Sequence, residues 1–407
     1  MEFLSTVFAR ALASRNYRIY FLGQLVSLAG TWMQQIAMIW LAYRLSNSAL
    51  VLGTVGFASQ IPILLLGSFT GVLTDRFDRR RILLVTQSVA MTQALALATL
   101  TWLHWVSPHW LIGLAFVLGC VNALDIPARQ SLVVQLVDDR ADLPNAIALN
   151  SLLMNAARFV GPALAGFAVA AIGEAWCFAL NATTYLAVLL ALLAIRVEPQ
   201  EVPHVPALHA LRQGFKYVLR HAEIRSRLVN IATLSLLVTP YAVMMPIFSR
   251  EIFHGDARTY GLLIGCAGAG SLLAGLYLAS RKDTEALARH LVYGVIAAGA
   301  ALALFAANQA LTLAFPIVMA IGFAMLLVIA GSNTLIQMRV EDAYRGRVMA
   351  IFSMAFLGIA PLGAISVGWL AHEVGVRPTL FGCGVATVLL GLIARRRARM
   401  AAASPTG

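Results

Sequence analysis

Gly71-Val72-Leu73-Thr74-Asp75-Arg76-Phe77-Asp78-Arg79-Arg80-Arg81 closes one long apolar run and opens the next, so four arginines are wedged between two stretches that carry almost no charge. Apolar runs of similar length recur along the chain, at approximately 17–43, 49–73, 82–103, 109–127, 146–171, 176–196, 228–250, 259–280, 290–307, 311–337, 347–371 and 378–395. A helix needs roughly 20 apolar residues to cross the hydrocarbon core of a bilayer, and twelve such crossings fit here with short connections. The composition agrees: of 407 residues 60% are apolar and only 12% charged, where a soluble domain carries about a quarter charged. Soluble and disordered classes are excluded. The expected fold is an all-α polytopic membrane protein of twelve transmembrane helices in two six-helix halves.

The basic residues give that reading an orientation. Lys and Arg number 30 against 18 Asp and Glu, a formal charge of +12. If the twelve runs are spans, 25 of the 30 basic residues fall on one set of connections and ends, 4 on the other, and Arg158 alone lies inside a span. Basic residues mark the cytoplasmic side of membrane helices, so both termini are expected in the cytoplasm, in a cell (inner) membrane. The same bias accounts for the basic character without a nucleic-acid partner; lipids are the expected surroundings. The organisation expected is a first half over 1–196, a cytoplasmic linker over 197–227, a second half over 228–396 and a tail over 397–407. The linker opens with Pro199, Pro203 and Pro206. Beyond it Leu208, Leu211, Phe215 and Val218 share one helical face and Arg212, Lys216 and Arg220 another, as in an interfacial amphipathic helix.

No GxxxxGK[ST] occurs, so the chain has no phosphate-cradling loop of its own. The eight histidines fall in connections or at span ends without metal-type spacing, and the four cysteines read as small packing residues. Neither an enzyme nor a metal or cofactor site is expected, and the energy source is a gradient, with protons the first candidate. Polar residues inside the spans are costly and so informative. Arg158 lies about 12 residues, or ~18 Å, into span five, with Ser151, Asn155 and Pro162 on its face; it reads equally as an anionic-substrate or coupling site and as a structural pair holding span five to a neighbour. Asp125 precedes Pro127 in span four, and Arg129 follows at a spacing that allows pairing; proton loading and an Asp–Arg lock are both open. In span one Gln24, Ser27, Thr31 and Gln34 form one stripe, suited to substrate contact or to interhelical hydrogen bonds. Asn333 in span ten is a further candidate for substrate contact.

The position of Gly71–Arg81, between spans two and three of a twelve-span chain, resembles that of the GxLaDRxGRR signature of the major facilitator superfamily. Gly30-Thr31-Trp32-Met33-Gln34-Gln35, Asp125-Ile126-Pro127-Ala128-Arg129-Gln130, Arg158-Phe159-Val160-Gly161-Pro162 and Arg345-Gly346-Arg347-Val348-Met349 look like the branch that contains the enterobactin exporter and macrolide efflux proteins. The resemblance implies a cytoplasmic gate at Gly71, Asp75, Arg76, Arg79 and Arg80, steadied by span eleven from about Arg347. Asp78 stands where the family usually has glycine, which puts the local turn in question. Ala157 to Gly161-Pro162 and on to Ala165-Gly166 is similar to the antiporter signature of exporting members, with Gly161, Pro162 and Gly166 serving close packing and a bend. Two family features are missing: span one has no acidic residue and span four no mid-helix arginine. What the resemblance implies is export of an amphipathic small molecule, siderophore or drug-like, by alternating access with proton antiport, from a monomer. A nutrient importer or facilitator of the same fold and a non-transporting scaffold or receptor are the alternatives.

Overall fold

The structure is a computed structural model that describes residues 10–195, 207–281 and 284–403; within these, the side chains of 68–76, 140, 207–211, 284–286 and 397–403 fall outside the description. Among the described residues eleven helices are long and apolar enough to cross a membrane. Ten make one crossing each: Arg15–Ser46 (span 1), Ala49–Arg76 (span 2), Arg79–Trp102 (span 3), Pro108–Val133 (span 4), Ala222–Ile252 (span 7), Ala257–Ala279 (span 8), Thr284–Ala307 (span 9), Leu311–Arg339 (span 10), Asp342–Val374 (span 11) and Val376–Ala403 (span 12). The eleventh, Leu143–Ala194, has 52 residues, ~78 Å of helix and more than twice one crossing. It breaks at Gly173, whose φ of 81° and ψ of 168° belong to glycine alone. Span 5 (143–172) and span 6 (174–194) are thus joined by one residue, where the sequence suggests a short loop.

Several helices run further than their apolar runs, and in spans 4 and 7 the protein itself satisfies the charges they contain. Span 4 continues through Asp125 and Arg129 to Val133. Span 7 starts at Ala222, six residues before the expected start of the second half, and takes in Arg227, which is paired with Glu223 at 3.6 Å and donates to the Ala288 carbonyl at 3.1 Å. Span 12 continues to Ala403, past the expected end of the second half at 396. Asp78 settles the turn left open above: it is the N-cap of span 3, its carboxylate accepting from the Arg80 amide at 3.0 Å. Spans 7 and 11 each contain wide π-helical turns, Leu234–Val238 and Phe248–Ile252 in one and Met354–Gly358 in the other. Ser235 donates across to the Phe356 carbonyl, which interlocks the first of these turns with the last.

The connecting helix, Ala207–Arg220, packs on the start of span 11. Tyr217 stacks on Tyr344 with ring centroids 4.5 Å apart, and Val218 is buried, whereas Phe215 is exposed. Gly214 sets this rotation: a Cβ there would lie 3.0 Å from Arg347 Cβ. Arg212, Lys216 and Arg220 remain exposed; the side chains of Leu208 and Leu211 are outside the described residues.

Packing divides the molecule into two unlike ends. At the end away from the termini one apolar cluster runs through both halves, from Ile36, Leu52 and Val169 to Phe248, Leu263 and Val367. At the end that bears the termini there are separate clusters, one around Tyr17, Leu132 and Leu192 in the first half and one around Tyr217, Ile231 and Val348 in the second. The halves therefore touch at the far end and part at the near end.

Glycines make the far contact possible. A Cβ on Gly261 of span 8 would lie 2.4 Å from the Pro162 carbonyl of span 5, one on Gly268 2.3 Å from the Arg158 carbonyl, and one on Gly53 of span 2 2.5 Å from the Ala364 carbonyl of span 11. Backbone thus meets backbone along a span 5–span 8 seam and a span 2–span 11 seam, the small-residue packing that membrane helices use in place of a hydrophobic driving force. Gly261→Leu overfills that seam and is expected to cost about 1–3 kcal/mol, seen as a lower melting temperature of the purified protein. Gly113→Ala, at a position with no neighbour within 4 Å, is expected to melt like the wild type.

Candidate functional site

Between the halves lies a cavity of about 670 Å³, within the range that small-molecule sites occupy. Most of its wall comes from the first half. Span 1 contributes Ser27, Thr31, Trp32, Gln34 and Gln35, span 2 Ser59 and Gln60, span 4 Asn122, Asp125, Arg129 and Gln130, and span 5 Asn150, Met154 and Arg158. Val243 of span 7 and Tyr260 and Ile264 of span 8 close the other side. The wall is mixed, with aromatic and aliphatic surfaces interrupted by amides and by three charges.

Two buried polar networks hold this wall in place. In the first, Asp125, only 2% exposed, accepts from Thr86 Oγ1 at 3.0 Å and from Gln87 Nε2 at 2.6 Å through one oxygen, and from Arg129 through the other. Arg129 reaches on to Gln24 Oε1 of span 1 at 2.5 Å. One carboxylate thereby ties spans 1, 3 and 4 together, and its acceptor capacity is well used. In the second, Gln34 donates to Gln93 Oε1 at 2.8 Å and accepts from Asn181 Nδ2 at 2.7 Å, while Gln93 donates to the Leu114 carbonyl at 3.1 Å. That chain links spans 1, 3, 4 and 6. Gly30 is what lets Asn181 approach, since a Cβ there would lie 2.4 Å from its Oδ1.

Arg158 differs from both. It lies 15 residues, ~22 Å, into span 5, is exposed to the cavity, and has no ion pair, hydrogen bond or ring contact among the described residues. Of the two readings that the sequence left open, the pair to a neighbouring helix has no counterpart among the described residues. The cavity ends beyond it, at the far seam: Trp40 of span 1 stacks on Tyr260 of span 8 with centroids 6.2 Å apart, and buried Tyr43 donates to Glu251 of span 7.

The sequence matches the family profile described as transmembrane secretion effector over residues 6–405. The chain belongs to this family of the major facilitator superfamily. Relatives of this chain include a staphyloferrin A transporter of Staphylococcus aureus, 24% identical over 92% of this chain and 94% of that protein. A multidrug efflux pump of Mycolicibacterium fortuitum is 22% identical over 90% of this chain and 91% of the other. Among solved structures, a nucleoside transporter superposes with a TM-score of 0.71 at 13% identity, covering 94% of this chain and 98% of that one, a likeness of fold alone. Members of the superfamily are transporters, and this chain is not an enzyme.

Against that family frame, the residues singled out in the sequence separate into groups. Thr31, Gln34, Asp125, Arg129 and Arg158 line the cavity; Gln24 is buried behind it, bound to Arg129. Asn155 does not line it: its side chain turns back to the Ser151 carbonyl at 2.9 Å, and the lining face of span 5 is Asn150, Met154 and Arg158. Asn333 does not line it either and accepts from Gln337 on its own helix. Gly161 receives Trp32, whose Cδ1 would lie 2.5 Å from a Cβ there, while Pro162 and Gly166 abut Gly261. Of the gate residues whose side chains are described, Arg80 bonds within its own half. Arg80 donates to the Leu192 and Leu193 carbonyls at 2.6 and 3.0 Å, capping span 6 of its own half, and Arg347 lies over the Tyr344 ring at 5.3 Å. Arg79 is half-buried at the start of span 3; the side chains of Gly71, Asp75 and Arg76 lie outside the described residues.

Sequence reasoning missed Gln60, Asn122 and Asn150 on the wall and Thr86, Gln87, Gln93 and Asn181 in the networks. The signal that finds them is uniform treatment: an amide within a membrane-length apolar run must face protein or water. Glu251 was missed because the apolar run of span 7 stops one residue before it.

The Asp125–Arg129 pair yields a stability test. Arg129→Met strands a buried carboxylate and is expected to cost about 3–5 kcal/mol, whereas Asp125→Asn combined with Arg129→Met is expected to melt higher than Arg129→Met alone. A thermal-melting double-mutant cycle in detergent measures the coupling.

Proposed function

We propose that this protein is a secondary transporter of the inner membrane, with both termini in the cytoplasm, that exports an amphipathic small molecule, siderophore or drug-like, as a monomer. The observation that carries the reading is the cavity itself: mixed in polarity, closed at the far end by the glycine seams and the Tyr43–Glu251 bond, and parted at the end where the arginines collect. With that end in the cytoplasm, the conformation is the one that loads cargo from inside. Rocking the halves about their seams then opens the far end, as alternating access requires. The names of the relatives, a staphyloferrin A transporter and a multidrug efflux pump, support the cargo class.

Exchange for protons is the proposed source of energy. Two carboxylates are placed so that protonation would alter a bond between helices: Asp125, which joins spans 1, 3 and 4, and Glu251, which holds Tyr43 across the halves. Inside-out vesicles carrying the protein, supplied with a panel of siderophores and hydrophobic antibiotics, are expected to accumulate a cargo when their lumen is acid, and to stop when an ionophore dissipates the proton gradient. Flux indifferent to the gradient or running into intact cells would favour a facilitator or importer, and binding with no flux a receptor; any of these outcomes contradicts the proposal.

A further inference from the structure

We infer that the cargo is an amphipathic organic anion bearing a carboxylate, and that Arg158 is the residue that binds it. The inference rests on the transporter reading above and names the substrate class of the same cavity. Three formal charges line the cavity, Asp125, Arg129 and Arg158. The first two cancel in a direct ion pair, and Asp125 is saturated further by Thr86 and Gln87. One positive charge is left over, on a guanidinium that faces the cavity with no partner among the described residues.

An unpaired arginine in the middle of a membrane helix is costly, and stays charged at any physiological pH. Its fork of donors matches a planar oxyanion and makes one of the stronger hydrogen-bonded pairs available to a protein. A single surplus charge is balanced by a carboxylate; a phosphate monoester, at about −1.5 to −2, would overfill it. Amines are repelled. The rest of the wall describes the rest of the molecule: Trp32, Met154 and Tyr260 offer flat and flexible apolar surface, and Gln35, Gln60 and Asn122 offer donors and acceptors for its polar substituents.

Placement adds a second argument. The backbone of Arg158 lies on the seam about which the halves would rock, its carbonyl lying 2.3 Å from where a Cβ on Gly268 of span 8 would sit. An anion bound to the Arg158 side chain is therefore held by a residue whose backbone lies where one half meets the other.

Purified full-length protein in nanodiscs tests this with three fluorescent probes: N-dansyl-leucine, its methyl ester, and dansylcadaverine. The wild type is expected to bind the acid at least about tenfold more tightly than the ester, and the amine more weakly still. Arg158→Gln is expected to erase the preference for the acid over the ester, and Arg158→Lys to keep part of it. Equal binding of acid and ester by the wild type, no binding of the acid, or an intact preference in Arg158→Gln would each overturn the inference. Binding is read without a gradient, so the two readings fail separately: a clear acid preference without vesicle flux removes the export reading alone, and gradient-driven flux without acid preference removes this one alone.

Discussion

Hydrocarbon offers no partner to a polar group, so each one inside these spans must find its partner in the chain or reach water. The first half meets this constraint with amides and ion pairs, Asp125–Arg129 beside the cavity and Arg44–Glu174 at the far end. Gln34, Gln93 and Asn181 bind one another, and Asp125 gathers Thr86, Gln87 and Arg129, with Gln24 beyond. These bonds run between helices, and they fix spans 1, 3, 4 and 6 as one body. Arg158 is the cationic group of the cavity wall that the chain leaves unsatisfied, and it faces the cavity. The same rule that makes the scaffold rigid thus makes the site conspicuous.

Between the halves the forces differ. Gly53, Gly261, Gly265 and Gly268 bring backbone against backbone at one end of the molecule, and the large apolar cluster there is continuous across the halves. At the other end each half keeps its own cluster, with Arg80 capping span 6 and the connecting helix packed on span 11. Contacts made of dispersion, the Tyr43–Glu251 bond and the Arg258–Phe167 cation–π contact can be exchanged for others without stranding a buried charge, whereas the networks inside the first half cannot. Such contacts suit two bodies that rock about a dry seam, the motion proposed above.

Much of this was legible in the sequence because it follows from period and charge. Twelve apolar runs and the arginine asymmetry give the crossings, and the spacing of Asp125 and Arg129 gives their pairing. Rotation about a helix axis was harder to read. Asn155 shares a face with Arg158 by count, yet the cavity lies one residue round, on Asn150 and Met154; on the connecting helix Gly214 turns Tyr217 and Val218 inward and leaves Phe215 outside. Such rotations depend on which neighbour can approach most closely, a property of two helices and not of one. A gate at Arg79 and Arg80 was expected from a motif, but a motif carries no conformation: in the state described here Arg80 serves its own half. The break at Gly173 was read as a loop because glycine can end a helix and begin another without any intervening residue.

The central claim is that the halves move as two bodies about the far seam. Paired spin labels measure it most directly, on a background without Cys120, Cys177, Cys266 and Cys383. One pair, at Ile147 of span 5 and Val229 of span 7, reports the near end; another, at Leu45 of span 1 and Val374 of span 11, reports the far end, all four positions being exposed. As bound cargo or a change of pH drives the transition, the near-end distance is predicted to shorten while the far-end distance lengthens. Distances that stay fixed, or that change in the same sense at both ends, would contradict the account.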